Sequence, residues 1–221
     1  MVYRGRMRIV GVSALLLLST GAHAQEIRAT MAGSAWNDAA FVAAGTAGIV
    51  VGSWVLRPNG GDHAPLDGLG HRAASTSLDR VGDTMVVAGL FAGASFSSLV
   101  DRDDRVRGPV ITLEGALAAS MLTQLGKNLF GVCRPRDWSD TTRTCASGDE
   151  AHRSFPSGHT APLAGMAGAA LGVALLPASP RRGDLALAIG STSVAVLVAI
   201  LRERAGAHSF VDTGVALLLG G

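Results

Sequence analysis

"APLAGMAGAALGVALL", residues 161–176, contains no charged side chain, and its one proline is at the second position. A run of 16 residues is longer than an ordinary strand, and its Ala and Leu favour helical backbone. It predicts a buried helix. Comparable apolar runs of 17 or 18 residues occupy 39–56, 84–100, 110–126 and 185–201, and another begins at 211. The intervals between them carry turn chemistry, as in Arg57-Pro58-Asn59-Gly60-Gly61, 101–108 and 177–183. No internal repeat or low-complexity tract interrupts the pattern. The sequence therefore predicts an all-α fold, a single bundle of five to six core helices with its chemistry at one end.

The beginning of the chain follows a different logic. Arg4, Arg6 and Arg8 precede an apolar stretch over 9–18, and Ala22-His23-Ala24 has the small-x-small form of a signal-peptidase site. Residues 1–24 read as a signal peptide and 25–221 as the helical domain, exported to the periplasm or cell envelope. An uncleaved anchor is the alternative. Without the three signal arginines, the basic count falls from 19 to 16 against 17 acidic residues. A near-neutral mature chain offers no basic surface for nucleic acid, so any anion site must be assembled from a few placed residues. Cys133 and Cys145 share one polar stretch. In an exported protein a disulfide closing that loop would contribute about 3 kcal/mol on the entropic account; two buried free thiols are the other reading. With no nearby His at ligand spacing, the pair does not make a zinc site.

Whether the helices cross a bilayer turns on length. The apolar runs fall short of the roughly 20 residues of a span and are diluted by Gly, Ser and Thr; mean hydropathy is +0.34. Gly48 and Gly52 form a GxxxG pair, which suits close packing in a soluble core as well as in a membrane. With a cleaved signal, three spans before Lys127 would return that residue to the cytoplasmic side, which argues for a soluble periplasmic bundle or for one segment that does not span. The Arg181-Arg182 turn, as a cytoplasmic loop, keeps an integral-membrane arrangement open.

Three polar clusters fall at the ends of the apolar runs. The first holds Lys127, the only lysine among 19 basic residues, with Arg134 and Pro135. If the chain stays helical, seven residues are about two turns, and both cations project from one face towards one anion. The second is "SFPSGHT", residues 154–160. There Ser157 can cap the next helix, Gly158 lets backbone approach a ligand, and His159 stands beside an anion seat where it could give up a proton. The third is Arg202, His208 and Asp212. His and Asp four apart share a helix face, so the carboxylate can hold the ring tautomer and free the other nitrogen as base or nucleophile. Each cluster alone has an ordinary reading: a solvated charge pair, a plain N-cap, a surface contact. A short turn at 177–183 makes the flanking helices an antiparallel hairpin, whose open end carries Ser157 and His159 on one arm and Arg202 on the other. The helix ending at Lys127 returns to that end.

These three stretches, in this order, resemble the signature of the type 2 phosphatidic acid phosphatase superfamily, which includes bacterial non-specific acid phosphatases and vanadium-dependent haloperoxidases. The similarity runs from about Lys127 to Asp212. The resemblance implies that Lys127, Arg134, Ser157, the Gly158 amide and Arg202 bind phosphate oxygens. It implies that His208 attacks phosphorus to form a phosphohistidine, that Asp212 orients His208, and that His159 protonates the departing alcohol and then activates water. No metal or other cofactor is implied, with vanadate as an inhibitor or, in a peroxidase, the cofactor. The lone lysine is then the point charge that a phosphate oxygen needs, which Arg does not replace.

The expected activity is a metal-independent phosphatase acting on phosphomonoesters or on phospholipid or isoprenoid phosphates and diphosphates, at or near a membrane surface. A vanadate-dependent haloperoxidase and a catalytically silent head-group binder of the envelope are the alternatives. Two departures bear on them. Leu201 stands where the family usually has Ser, which removes one hydroxyl contact. The sequence also ends at Gly221, so a short last helix is expected.

Overall fold

The computed structural model describes residues 35–54, 63–66, 68–100, 107–175 and 182–221, and the expected signal peptide, 1–24, lies outside them. Among the described residues there are six α-helices: α1 (Ala35–Trp54), α2 (Thr76–Val100), α3 (Arg107–Phe130), α4 (Thr160–Leu175), α5 (Arg182–Arg204) and α6 (Phe210–Gly220). Two short strands, β1 (Trp138–Ser139) and β2 (Thr144–Cys145), pair antiparallel in the loop after α3. The all-α expectation holds.

The opening stretch is the central helix. Residues 160–167 of α4 are buried on every side, as expected of a helix that is apolar all round. Pro162 is tolerated because it sits in the first turn, where its missing N–H has no intrahelical partner to lose. On one flank Leu163 and Ala164 pack with Ala195 and Val198 of α5, and Ala170 packs with Leu187 and Ala188. The early part of α4 thus meets the late part of α5, the antiparallel hairpin read from the sequence. On the other flank Ala119 of α3, Ala161 of α4 and Ala216 of α6 share one buried cluster. Small residues allow this approach. A Cβ on Gly126 would lie 2.6 Å from the Pro156 ring, so α3 and the entry to α4 touch backbone to side chain. The GxxxG pair of α1 serves the same purpose: a Cβ on Gly52 would lie 2.6 Å from Gln124 of α3.

The helices run further than the apolar runs. α2 begins at Thr76, eight residues before the apolar run at 84, and its two polar turns carry Asp79 and Asp83. As a result α2 and α5 reach 25 and 23 residues and are long and apolar enough to cross a membrane, by length and composition. Two helical-face readings need correction. α3 stops at Phe130, and Gly131 takes φ 55° with its N–H on the Lys127 carbonyl at 3.2 Å. This left-handed cap turns the chain back, so Arg134 stands in extended backbone and not two turns along the helix. Likewise α6 starts at Phe210 behind the Ser209 N-cap, so His208 precedes the helix that carries Asp212.

Candidate active site

The bundle gathers the ends of α3 and α5, the starts of α2, α4 and α6, and the loop after α3. Arg202, in the last turn of α5, is 2% exposed and extends across α2. Its NH1 lies 2.5 Å from Asp79 Oδ1 and 2.9 Å from Asp83 Oδ1. Glycine at position 82 makes room, because a Cβ there would lie 3.1 Å from Arg202 Cδ. His159, in the second motif just before α4, places Nε2 2.9 Å from the same Asp83 oxygen. One carboxylate oxygen therefore joins the second motif to the third.

Lys127 reaches the second motif from α3. A Cβ on Gly158 would stand 3.2 Å from Lys127 Nζ, so glycine is what lets the ammonium meet this turn. Ser157 is fully buried, and its hydroxyl lies 3.0 Å from that of Thr160. Its N–H donates to the Asp212 carbonyl at 3.0 Å, and its own carbonyl accepts from Ala161 at 3.2 Å. Arg134 NH2 holds Glu150 at 2.9 Å, and the Arg134 N–H donates to the Ala151 carbonyl at 2.8 Å. Cys133 and Cys145 form a disulfide across this loop, with Cα atoms 5.8 Å apart.

His208 and Asp212 are both fully buried. The carboxylate is already engaged: Asp212 Oδ2 accepts from the Ser209 N–H at 2.7 Å and from Ser154 Oγ at 2.5 Å. Ser209 Oγ in turn accepts from the Asp212 N–H, which completes a capping box. His208 Nδ1 lies 3.7 Å from Asp212 Oδ2, beyond a hydrogen bond, so this pair is an electrostatic contact and Ser154 is the direct partner of the acid.

The charges act on one another. Burial first, then Lys127, Arg134 and Arg202, hold the His208 imidazolium well below the usual histidine range; the ring is neutral. Burial, with Arg202, His208, Lys127 and Arg134 in that order, presses His159 down to about 2. Burial and the neighbouring Arg134, partly offset by Glu150, bring Lys127 from 10.5 down to about 7. Each is the response of a buried basic group set among other cations. Buried Arg134 Nε, Arg202 Nε, His159 Nδ1 and both ring nitrogens of His208 lack hydrogen-bond partners among the described residues. Such orphaned groups in one place call for a bound species.

All eight site residues read from the sequence are thus at this end of the bundle. Asp79, Asp83 and Glu150, which the three clusters did not include, hold or neighbour them, and Ser154, within the second cluster but given no role there, bonds to Asp212. The family model of the PAP2 superfamily matches residues 109–221. No curated protein and no solved structure matches the chain. The matched segment contains all three motifs, with nearly all of α3 and the whole of α4, α5 and α6, whose ends present them, and the chain belongs to the PAP2 superfamily of type 2 phosphatidic acid phosphatases.

Proposed function

We propose that this protein is a metal-independent phosphatase of the cell envelope that hydrolyses phosphomonoesters or lipid phosphates through a phosphohistidine at His208. The observation that carries this reading is the set of buried, unpartnered nitrogens on Arg134, Arg202, His159 and His208, which match the acceptor oxygens of one tetrahedral phosphate.

In the proposed reaction Lys127, Arg134, Arg202, Ser157 and the Gly158 amide hold the phosphoryl oxygens. His208 Nε2 attacks phosphorus, since Nδ1 is the nitrogen turned to Asp212. The bond from phosphorus to the alcohol oxygen breaks, and that oxygen takes a proton from His159. The charge of the bound phosphate offsets the cations that keep His159 unprotonated in the free protein, so substrate binding itself loads the acid. Water then attacks the phosphohistidine, His159 takes its proton, the nitrogen to phosphorus bond breaks and phosphate leaves. Orthovanadate, which resembles the transition state, is expected to inhibit.

Lipid phosphates suit the exterior of the bundle. Val87, Phe91 and Leu99 on α2 are 70, 77 and 74% exposed, and the apolar window of that helix is 11% buried within the bundle. An apolar surface of this kind favours a bilayer or its interface. The test is phosphate release from the purified protein in excess EDTA. Undiminished turnover is expected, and turnover that stops and returns only with added divalent metal would overturn metal independence.

A pH dependence follows from Lys127. Its ammonium, with a pKa about 7, is intact below that pH and lost as pH rises through it. His159 and His208 are already neutral there, so affinity for inorganic phosphate should fall above pH 7. Lys127→Arg, whose guanidinium stays charged, should lose the share of this alkaline fall that comes from the ammonium, even if it binds more weakly. Calorimetric titration between pH 6 and 9, values chosen to bracket about 7, reads the difference.

A further inference from the structure

Asp83 belongs to none of the three motifs and stands on α2, outside the residues that the family model matches. Its Oδ1 lies 2.9 Å from His159 Nε2 and 2.9 Å from Arg202 NH1. The two partners depend on it unequally. Arg202 also has Asp79 Oδ1 at 2.5 Å, whereas His159 has no second carboxylate within ion-pair distance among the described residues. The other ring nitrogen, His159 Nδ1, is buried and has no hydrogen-bond partner among those residues. One edge of the imidazole is thus held by an acid, and the opposite edge is left for a ligand.

This arrangement fixes the tautomer. A carboxylate accepts hydrogen bonds, so the ring nitrogen that faces Asp83 carries the proton of the neutral imidazole and Nδ1 keeps the lone pair. Nδ1 is then the nitrogen that gains a proton when the acid is loaded and gives it up to the departing oxygen. Burial, and then the cations Arg202, Lys127 and Arg134, oppose a charged ring. An anion on each edge answers them, with phosphate at Nδ1 and Asp83 at Nε2.

We infer that Asp83 is a positioning residue for His159, one that fixes Nδ1 as the proton-transferring nitrogen, stabilises the imidazolium, and so assists leaving groups that must depart protonated. The inference rests on the phosphatase reading above. As the bond from phosphorus to the alcohol oxygen breaks, the Nδ1 proton passes to that oxygen. The Nε2 proton stays on the ring against Asp83, and the imidazole returns to neutral. A departing alkoxide needs that proton; a nitrophenolate, already stable as an anion, leaves without it.

The experiment compares kcat/KM for decyl phosphate and para-nitrophenyl phosphate, with the full-length protein in neutral detergent. Asp83→Asn keeps a hydrogen-bond acceptor without the charge, and Asp83→Ala keeps neither; either variant serves if the other does not accumulate. Decyl phosphate should lose about tenfold in Asp83→Asn and more in Asp83→Ala, while para-nitrophenyl phosphate loses less than about threefold. Weaker support to Arg202 would instead lower phosphate binding for both substrates alike and leave their ratio in place. His159→Ala should show the same selectivity on a larger scale, and adding Asp83→Asn to it should shift the ratio no further, because the two residues act as one unit. Equal losses for both substrates, or a shift that persists in the His159→Ala background, would overturn the positioning role and spare the phosphatase. A wild type that cleaves neither substrate removes both.

Discussion

His208→Ala is expected to lose roughly 10⁴-fold or more in kcat, because it removes the nucleophile of the proposed reaction. The residue is fully buried and its ring is neutral for stated reasons, burial and three cations. A neutral imidazole has the lone pair that attack requires. The same substitution leaves Lys127, Arg134 and Arg202 in place, so inorganic phosphate should still bind. Separation of binding from turnover distinguishes the loss of a nucleophile from collapse of the site. It also separates the phosphatase from a silent head-group binder, whose behaviour this variant would not change. Substantial turnover in His208→Ala would remove the covalent mechanism.

Asp79→Ala is expected to have the largest effect on stability. Asp79 holds Arg202 and Arg136 at once, and Arg202 is nearly without solvent contact. It thereby ties the start of α2 to the end of α5 and to the turn after α3, where the Arg136 N–H donates to the Gly206 carbonyl at 2.9 Å. Removing Asp79 leaves buried Arg202 to Asp83 alone and takes from Arg136 its nearest carboxylate, which costs about 2 kcal/mol, or roughly 4–8 °C in Tm at this chain length. Phosphate can serve as the missing counter-ion, so it should raise Tm more in Asp79→Ala than in wild type. A Tm within about 1 °C of wild type, with no added protection by phosphate, would mean that this ion pair does not hold the site.

The sequence and the structure agree where chemistry and apolar length speak locally. The run at 161–176 was legible as a helix by its length and its Ala and Leu content, though not as the central one, and the three motifs were legible because Lys127, His159 and His208 sit at helix ends. The helical-face arguments failed at two places for physical reasons. Gly131 adopts a left-handed conformation that ends α3 before Arg134, and the capping box from Ser209 to Asp212 starts α6 after His208. The Ser-x-x-Asp pattern at 209–212 is itself a sequence signal for that start. The carboxylates were harder to see. Asp79 and Asp83 are 123 and 119 positions from Arg202, in a polar stretch that read as the approach to a helix. Their spacing of four residues, which places them on one helical face, was the available clue.

The central claim is a covalent bond between phosphorus and His208, and acid-sensitive trapping tests it most directly. The protein is mixed with a phosphomonoester, quenched in alkali within the first turnover, and digested for mass spectrometry. The account predicts one added phosphoryl group on the peptide that contains His208, stable in base, lost in acid and absent from His208→Ala. Rapid phosphate release with that peptide unmodified at every quench time, or a phosphoryl group on another residue, would contradict it.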